Sequence, residues 1–217
     1  MTDPIVVAVD GPAGAGKSAV GRRVAEELGL PFVDSGLFYR AVAWLAHEGG
    51  VASDDVPGLV AIASLPDLRV EDGRIYAGDR DLSSLVHRPE INDNLSAISQ
   101  VPEVRDAINE RQRRLAEGRG VVMAGRDIRT VVFSEAPYKF FLTASLPERV
   151  RRRLAQKARR GEWTDDAEME REIAARDVAD STRAVAPLRP APDAVIIDTD
   201  GLAVEEVVER IVQRVRR

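Results

Sequence analysis

The sequence predicts an α/β fold: a mostly parallel sheet flanked by helices, with a small antiparallel insert and a short lid. Short apolar runs alternate with segments in which apolar residues recur at helical spacing, as is typical of parallel strands joined by helices. A glycine-rich loop directly follows the first apolar run, and one later stretch alternates polar and apolar residues as a hairpin does. With 217 residues, the chain suits one domain over residues 1–217, with insertions, better than two domains.

The first half of the chain begins with a predicted strand at residues 5–9. This run of mostly β-branched residues is typical of a parallel strand that is buried on both faces. After the glycine-rich loop, apolar residues recur every four positions and predict a helix that ends at Gly29. Residues 31–34 then predict a second strand, and residues 37–50 predict a second helix closed by two glycines.

The second half repeats the strand and helix pattern. Short apolar runs predict three further strands, and helical stripes follow the last two of them. The strands are expected at residues 121–124, 138–142 and 194–197, and the stripes are Leu146, Val150 and Leu154, then Val204, Val207, Val208, Ile211 and Val215.

Two stretches interrupt this pattern. Residues 67–83 alternate polar and apolar residues around an Asp-Gly pair, which predicts a small antiparallel hairpin or meander. The insert leads into a predicted helical region at about residues 88–117. A polar, charged connection at residues 156–172 joins two predicted helices, and such connections are candidate lids over a binding site.

Composition excludes several classes of site. The chain has no cysteine, which excludes disulfides, thiolate catalysis and cysteine-ligated zinc, and its two histidines are too few for a histidine metal cluster. The net charge of -5 argues against a nucleic-acid-binding surface. The first residues carry neither a basic region nor an apolar run of membrane-spanning length, so we expect a cytoplasmic protein without a membrane partner.

The glycine-rich loop, GPAGAGKS at residues 11–18, matches the phosphate-binding pattern G-x-x-x-x-G-K-[ST] between a predicted strand and a predicted helix. Glycines let backbone N–H groups turn towards an anion, and the helix N-terminus adds a favourable dipole. Lys17 is expected to reach the β- and γ-phosphates of a nucleotide, and the Ser18 hydroxyl to hold Mg²⁺. The residues expected around the nucleotide phosphates are Gly11, Pro12, Ala13, Gly14, Ala15, Gly16, Lys17, Ser18 and Ala19.

Two absent patterns narrow the use of this nucleotide. A GTPase usually recognises guanine with N-K-x-D, but none of the lysines at 17, 139 and 157 follows an asparagine. A motor or AAA-type ATPase needs a strand that ends in consecutive acids. The nearest string, AVIIDTD at residues 194–200, has none, and Asp198 is expected to be a strand-end residue. Transfer of the phosphoryl group to an acceptor is the use that is left.

Three polar clusters are candidates for the acceptor site. Residues 34–40 follow the second strand, and residues 126–127 follow a strand at the edge where open α/β sheets bind ligands. Arg176, Asp180 and Arg183 have the spacing of one helix face. Each cluster alone has a structural alternative, either a surface row of salt bridges or an internal ion pair. Because several arginines able to fork onto phosphate oxygens accompany a phosphate loop, the set favours a phosphoryl-transfer site.

These clusters lie within a longer series of stretches: DSGLFYRAVA, LSAISQVPEVRDAINERQR, AGRDIRTVVF, RDVADSTRAVAPL and DAVIIDTDG. With the phosphate loop they cover nearly the whole chain, and on them the chain resembles the cytidylate kinases, a branch of the nucleoside monophosphate kinases. The resemblance implies a P-loop kinase fold that uses ATP and Mg²⁺ to phosphorylate CMP and dCMP. It implies a monophosphate-binding region at residues 35–117, including the insert at about 67–83, and a lid at residues 156–167. Its partners would be small nucleotides rather than nucleic acid, and we expect a monomer.

The resemblance also assigns roles to individual residues, which would hold the acceptor phosphate, the cytosine, the ribose and ATP, or act on the transferred group. They are Ser35, Arg40, Arg126 and Arg183 for the phosphate; Ser96, Arg105 and Asp127 for cytosine; Arg176 and Asp180 for ribose; Arg149 and Arg153 for ATP; and Lys17, Arg126 and Arg183 for catalysis. The cytosine assignment is chemically sensible, because a carboxylate accepts a hydrogen bond from the amine of cytosine but repels the carbonyl of uracil.

The chain departs from that pattern at three positions. Members of that branch usually carry an acid where Ala124 stands, a glycine where Arg129 stands and a proline where Ser134 stands. The missing acid removes a group expected to organise metal or water near the phosphates. We expect Arg129 to point to solvent beside the acceptor site, and a part in shaping that site is the alternative.

Three other functions stay open on the sequence. A small P-loop kinase for another nucleoside monophosphate, or for a metabolite such as shikimate, would carry the same loop. The arginine-rich residues 148–160 suggest an ATPase stimulated by nucleic acid, which the acidic net charge and the acceptor motifs disfavour. A binding module without catalysis is disfavoured by the intact Lys17 and arginine set.

Overall fold

The protein is described by a computed structural model covering residues 4–71, 73–159 and 161–217. Its strands are β1 (Val6–Asp10), β2 (Phe32–Asp34), β3 (Leu68–Glu71), β4 (Arg74–Ala77), β5 (Arg80–Asp81), β6 (Val121–Gly125), β7 (Tyr138–Thr143) and β8 (Val195–Asp198). Its α-helices are α1 (Lys17–Leu28), α2 (Gly36–Gly49), α3 (Val56–Ala63), α4 (Asn92–Ile98), α5 (Pro102–Ala116), α6 (Leu146–Ala158), α7 (Asp166–Thr182) and α8 (Val204–Val215). Turns of 3₁₀-helix lie at Leu85–His87 and Pro89–Ile91, and a π-helical turn at Ile128–Val132.

The central sheet is parallel, with the strand order β2-β6-β1-β7-β8, and this confirms the predicted mostly parallel sheet. β1 is buried along its whole length, as its run of β-branched residues predicts. The register pairs Asp10 with Gly125 and Asp34 with Ala124. The carboxyl ends of β1, β2 and β6 therefore meet at one edge, where open α/β sheets bind ligands.

Each face of the sheet has its own apolar core. Val7 and Val9 of β1 pack with the stripes of α1 and α8, whereas Val6 and Ala8 belong to the core formed with α2, α3 and α5. One strand serves both cores because its side chains alternate between the faces. Gly21 lets α1 lie close to β2, since a Cβ at this position would come within 2.6 Å of the Phe32 ring.

The predicted insert is a three-stranded antiparallel sheet of β3, β4 and β5. Leu68, Val70 and Ile75 are buried and join the core of α2 and α3. The predicted Asp-Gly turn includes Asp72, which lies outside the described residues, while Gly73 has the left-handed φ of 74° that such a turn requires.

The predicted helical region at residues 88–117 is divided into a 3₁₀ turn, α4 and α5. The break falls at residues 99–101, because Pro102 starts α5 in the first helical position, where its missing N–H costs no hydrogen bond. Arg105 on α5 and Ser96 on α4 consequently come from two different helices.

The predicted polar connection at residues 156–172 is wrong in extent. α6 continues to Ala158 and α7 begins at Asp166, so the irregular part is residues 159–165, of which Arg160 lies outside the described residues. The Asp165 carboxylate caps α7 by accepting from the Glu168 N–H at 3.3 Å. Only a narrow stripe of α7 is apolar and buried, so its polar composition hides the helix. No helix in the described part of the chain combines the length and the apolar character needed to cross a membrane.

Candidate active site

The phosphate loop joins β1 to α1, as predicted, and its shape depends on glycine. Gly11 has φ 152°, and a Cβ at that position would lie 2.1 Å from the carbonyl oxygen of Leu142 on β7. Gly14 has φ 81°, and its Cβ would meet the Cβ of Arg149 at 2.9 Å. Because neither position accepts a side chain, the neighbouring strand and helix hold the loop closely from outside.

Lys17 lies over this loop and is buried. Its Nζ donates to the carbonyl oxygen of Pro12 at 2.7 Å. Burial lowers the pKa of Lys17 well below its usual value, the positive charge of Arg126 lowers it further, and Asp34 opposes both. A buried cation beside a second cation is stabilised by an anion, so this loop suits the phosphates of a nucleotide.

Ser18 and Asp34 form a pair at the first turn of α1. The Ser18 hydroxyl donates to Asp34 Oδ2 at 2.6 Å, and the backbone N–H of Gly36 donates to Asp34 Oδ1 at 3.1 Å. Asp34 ends β2 and is paired in register with Ala124 on β6. This acid therefore lies beside the position at which the chain lacks the acid of the pattern it resembles. The sequence placed Asp34 in a candidate cluster without a role, and the tertiary fold brings it to Ser18.

A cavity of about 380 Å³ opens next to the loop, between α2, α4, α5, α7 and the end of β6. Its volume lies in the range of small-molecule sites. It gathers most of the residues predicted for the acceptor, from four separate stretches of sequence. Its lining includes Ser35, Ser96, Arg105, Arg126, Asp127, Arg176, Asp180 and Arg183, together with Asp34, Tyr39, Ser99 and Glu172.

Asp180 joins α7 to the end of β6 through an ion pair. Its Oδ2 lies 2.7 Å from Arg126 Nε and 4.0 Å from Arg176 Nε. Burial acts to raise the pKa of Asp180, but the charges of Arg126 and Arg176 hold it below the usual value. Asp180 is therefore an anion at neutral pH, and it holds two arginines at the cavity wall.

Asp127, which also lines the cavity, is held by two other arginines. Arg105 Nη2 is bonded to its Oδ2, and Arg183 Nη2 lies 3.6 Å from its Oδ1. Arg105 is itself fixed, since it donates to the carbonyl oxygen of Ser99 at 2.9 Å and its guanidinium carbon lies 5.3 Å from the centre of the Tyr39 ring. The result is a preorganised, buried carboxylate that faces a ligand-sized space.

The helical-face prediction for Arg176, Asp180 and Arg183 is wrong for Arg183. α7 ends at Thr182, and Arg183 has the extended ψ of 141°. Its side chain turns back, so that Nε donates to the carbonyl oxygen of Ala186 at 2.6 Å. Arg183 still lines the cavity, because the chain reverses direction there and not because of helical periodicity.

Arg40 is not part of the described cavity lining, although its charge acts on the same region. Its Nη1 donates to the carbonyl oxygen of Val86 at 3.1 Å. Burial and then the charges of Arg176 and Arg153 lower the pKa of Arg40 to about 10. Burial and then the charge of Arg126 do the same for Arg176, whose pKa is also lowered to about 10. Arg40, Arg126, Arg153 and Arg176 thus repel one another across one region. An anionic phosphate bound there would reduce this repulsion.

The two arginines predicted to contact ATP are placed differently. Arg149 is buried, donates to the carbonyl oxygen of Ala13 in the phosphate loop at 3.2 Å, and lies 2.6 Å from Asp177 on α7. It therefore connects the loop to α7. Arg153 donates to Gln156 on its own helix at 2.7 Å.

Sequence reasoning missed Arg152, which lies on the same helix. Its guanidinium donates to the hydroxyl and the carbonyl oxygen of Thr199 at 2.9 and 2.7 Å, and its Nη1 would lie 3.9 Å from a Cβ at Gly16. Because arginines occupy the consecutive positions 151–153 of α6, spacing does not show which of these three turns towards Thr199 and the loop.

The prediction that Arg129 points to solvent is wrong. Its side chain is 0% exposed and forms an ion pair with Asp10, whose side chain is equally buried. Ala124 is also buried, within β6. Asp198 ends β8 and accepts from the backbone N–H of Asp200 at 3.0 Å, as expected of a strand-end residue.

Sequence comparisons with known proteins agree on one family. The family model described as cytidylate kinase matches residues 7–217. A cytidylate kinase from Caldanaerobacter subterraneus is 41% identical, covering 98% of this chain and 95% of that protein. One from Pelotomaculum thermopropionicum is 45% identical, covering 96% and 95%. Among solved structures, a shikimate kinase from Bacteroides thetaiotaomicron has a TM-score of 0.51 at 14% identity, covering 98% of this chain and 99% of that one, and this likeness concerns the fold alone.

Proposed function

Because the chain belongs to the cytidylate kinase family, we propose that it transfers the terminal phosphoryl group of ATP to CMP and dCMP. The observation that carries the proposal is the cavity beside the phosphate loop, which gathers arginines and carboxylates from four separate stretches of sequence. A donor loop alone serves many reactions, whereas a donor loop with an adjoining nucleotide-sized polar cavity supports transfer between two bound nucleotides.

The reaction needs positioning and charge more than acid–base chemistry. An oxygen of the acceptor phosphate forms a bond to the γ-phosphorus of ATP, and the bond to the β–γ bridging oxygen breaks, giving ADP and CDP. Since the acceptor phosphate is already anionic, no general base is required. Lys17, Arg126 and Arg183 are proposed to stabilise the charge on the transferred group and the acceptor, with Ser35 and Arg40 at the acceptor phosphate.

The carboxylate of Asp127 is proposed to select cytosine, with Ser96 and Arg105. The carboxylate accepts hydrogen bonds, so it fits the exocyclic amine of cytosine and repels the corresponding carbonyl of uracil. Its two arginine partners hold it in place. Arg176 and Asp180, which line the same cavity, are proposed to hold the ribose.

The residues at the loop fit a magnesium ion. Ser18 supplies a hydroxyl, and Asp34 supplies a carboxylate that is already bonded to it. Oxygen ligands of this kind suit Mg²⁺. Ser18 and Asp34 would hold the ion, which neutralises charge on the ATP phosphates when it is bound.

Residues 156–167 are proposed to act as a lid and residues 35–117 as the monophosphate-binding region. α7 begins within the last residues of this lid and carries Asp177, Arg176 and Asp180, which connect to the loop or the acceptor cavity. Movement of the lid would therefore act on both nucleotides at once and exclude water from the transfer. We also expect a cytoplasmic monomer that binds ATP through the phosphate loop with Arg149 and Arg153.

The proposal is tested with purified protein, ATP and Mg²⁺ in a coupled assay for ADP. CMP, dCMP, UMP, AMP and shikimate are compared as acceptors by kcat/KM. CMP and dCMP are expected to be the preferred acceptors. A clear preference for AMP or shikimate would contradict the proposal, and ATP hydrolysis stimulated by single-stranded nucleic acid would favour the ATPase alternative.

A further inference from the structure

We propose that Arg129 is a positioning residue for the acceptor site. It holds the backbone that carries Arg126 and Asp127, and the segment that carries Arg183, in a set relation to the phosphate loop. This inference rests on the proposed function, since it concerns the acceptor cavity of the same reaction.

The first link runs from the donor loop to the acceptor strand. Asp10 directly precedes the loop, and its Oδ1 accepts from the backbone N–H of Ile128 at 3.1 Å. Its Oδ2 accepts from the backbone N–H and from Nε of Arg129, each at 3.0 Å. The carboxylate thus joins the last residue before the donor loop to the two residues after Asp127.

The second link runs from Arg129 to the segment beyond α7. Arg129 Nη2 donates to the carbonyl oxygen of Arg189 at 2.6 Å. Residues 183–189 fold back on α7, since the Leu188 N–H donates to the carbonyl oxygen of Asp180 at 2.8 Å. Ala186 in this segment has φ 51°, a backbone state that a residue with a side chain keeps only when its surroundings hold it.

Arg129 therefore connects three parts of the site: the start of the donor loop, the backbone after Asp127 and the segment beyond α7. Its side chain also lies against β7, with the guanidinium carbon 4.5 Å from the centre of the Phe141 ring. Burial raises the pKa of Asp10 and lowers that of Arg129, so placing this pair in the interior has a cost. The planar guanidinium suits this position because its donors point in two directions: Nε faces Asp10 and Nη2 faces the Arg189 carbonyl.

The arrangement also bears on α7. The chain leaves α7 at Thr182, and Arg129 anchors it again at Arg189, seven residues later. Arg176 and Asp180 lie on α7 before this anchor, and Arg183 lies between the end of α7 and the anchor. Arg129 consequently sets the path of the chain beyond α7, and with it the position of Arg183 relative to Asp127.

The test compares Arg129→Lys with the wild-type enzyme, varying CMP and ATP separately. Lysine keeps the positive charge beside Asp10, but one ammonium group cannot bond to both Asp10 and the Arg189 carbonyl. Loss of one charge-assisted hydrogen bond is expected to raise KM for CMP about tenfold, whereas KM for ATP stays within about twofold. The dissociation constant for CMP, measured by calorimetry, is expected to rise in parallel.

A second variant separates positioning from charge balance. Arg129→Met alone leaves Asp10 buried without its partner and is expected to fold poorly. Asp10→Asn combined with Arg129→Met removes both charges and keeps the volume, so it is expected to fold while still binding CMP weakly. A double variant with wild-type thermal stability and wild-type affinity for CMP would overturn the positioning role.

Arg216→Lys is the matched control. Arg216 Nη2 donates to the carbonyl oxygen of Glu27 at 3.0 Å, outside both the cavity lining and residues 35–117. Loss of this hydrogen bond is expected to lower the melting temperature slightly and to leave KM for CMP within about twofold. Equal increases in both KM values, or the same CMP effect in the control, contradict the positioning role. An active wild type with a KM-neutral Arg129→Lys contradicts this inference alone, whereas a wild type inactive on CMP contradicts the proposed function as well.

Discussion

The donor loop and the acceptor cavity are built in opposite ways. The donor loop is one continuous stretch, residues 11–18. Its shape depends on glycines, because β7 and α6 lie so close to Gly11 and Gly14 that neither position has room for a side chain. The acceptor cavity is lined by side chains from residues 34–39, 95–105, 125–127 and 172–183. The first site consists mainly of backbone N–H groups, and the second mainly of charged side chains held by one another.

This difference teaches where each site is vulnerable. In the loop, the side chain proposed for catalysis is Lys17, and the backbone N–H groups that surround the phosphates would remain without it. In the cavity, each arginine is placed by a carboxylate, as Arg126 is by Asp180 and Arg105 by Asp127. One substitution there changes both a ligand contact and the position of a neighbouring residue.

The largest effect is expected for Lys17→Ala. Removal of a buried cation that neutralises the transferred group is expected to lower kcat by about a thousandfold, while the fold survives. The measurement is steady-state kinetics with circular dichroism of the same sample. Lys139→Ala is the control, because Lys139 lies outside the loop and its Nζ pairs with Asp193 Oδ2 at a distance of 2.6 Å. Near-normal turnover in Lys17→Ala would remove Lys17 from the mechanism.

Asp127→Asn tests whether the cavity recognises cytosine through a carboxylate. The asparagine amide donates where the carboxylate only accepted, so the preference for CMP over UMP in kcat/KM is expected to fall about a hundredfold. Asp106→Asn is the control, since Asp106 is an exposed acid next to Arg105. An unchanged ratio of CMP to UMP use would show that other groups recognise the base.

Asp34→Asn tests the pair formed with Ser18. Losing one carboxylate is expected to raise the Mg²⁺ concentration needed for half-maximal activity about tenfold. The Mg²⁺-dependent gain in ATP affinity, measured by calorimetry, is expected to shrink as well. Asp198→Asn is the control, because Asp198 ends β8 and bonds to the N–H of Asp200. A greater Mg²⁺ requirement in the control than in Asp34→Asn would move the metal role to β8.

The smallest effect is expected in the lid. Trp163 is 90% exposed in the connection between α6 and α7, whereas Trp44 is 7% exposed. In a Trp44→Phe background, ATP and CMP together are expected to protect Trp163 emission from acrylamide quenching, because lid closure removes the ring from water. Equal quenching with and without both nucleotides would show that the lid stays open over the bound site.

Most of the fold was predictable because its signals are local. Short apolar runs predicted the parallel strands, and apolar residues at helical spacing predicted α1, α6 and α8. α7 was missed at its N-terminal end, since only Met169 and Ile173 among its residues are buried. A helix that packs along so narrow a stripe leaves little periodicity to detect.

The difference between local and distant interactions also explains which site residues the sequence predicted. The loop from Gly11 to Ser18 was identified in full, because its hydrogen bonds and dihedral angles lie within one segment. Arg129 and Arg152 were misjudged or missed, because their partners Asp10, Arg189 and Thr199 are distant in sequence. The sequence alone does not distinguish an arginine that faces solvent from one that is buried in an ion pair.

The sequence by itself determined the α/β fold, the donor loop, and the series of stretches by which the family was recognised. Only the tertiary structure decided that Asp34 reaches Ser18, that Arg183 turns back beyond the end of α7, and that Arg129 is buried against Asp10. The physical reason is range. Backbone propensity and hydrophobic spacing act over a few residues and are written along the chain. Charge pairing acts across space between segments that only the folded sheet brings together.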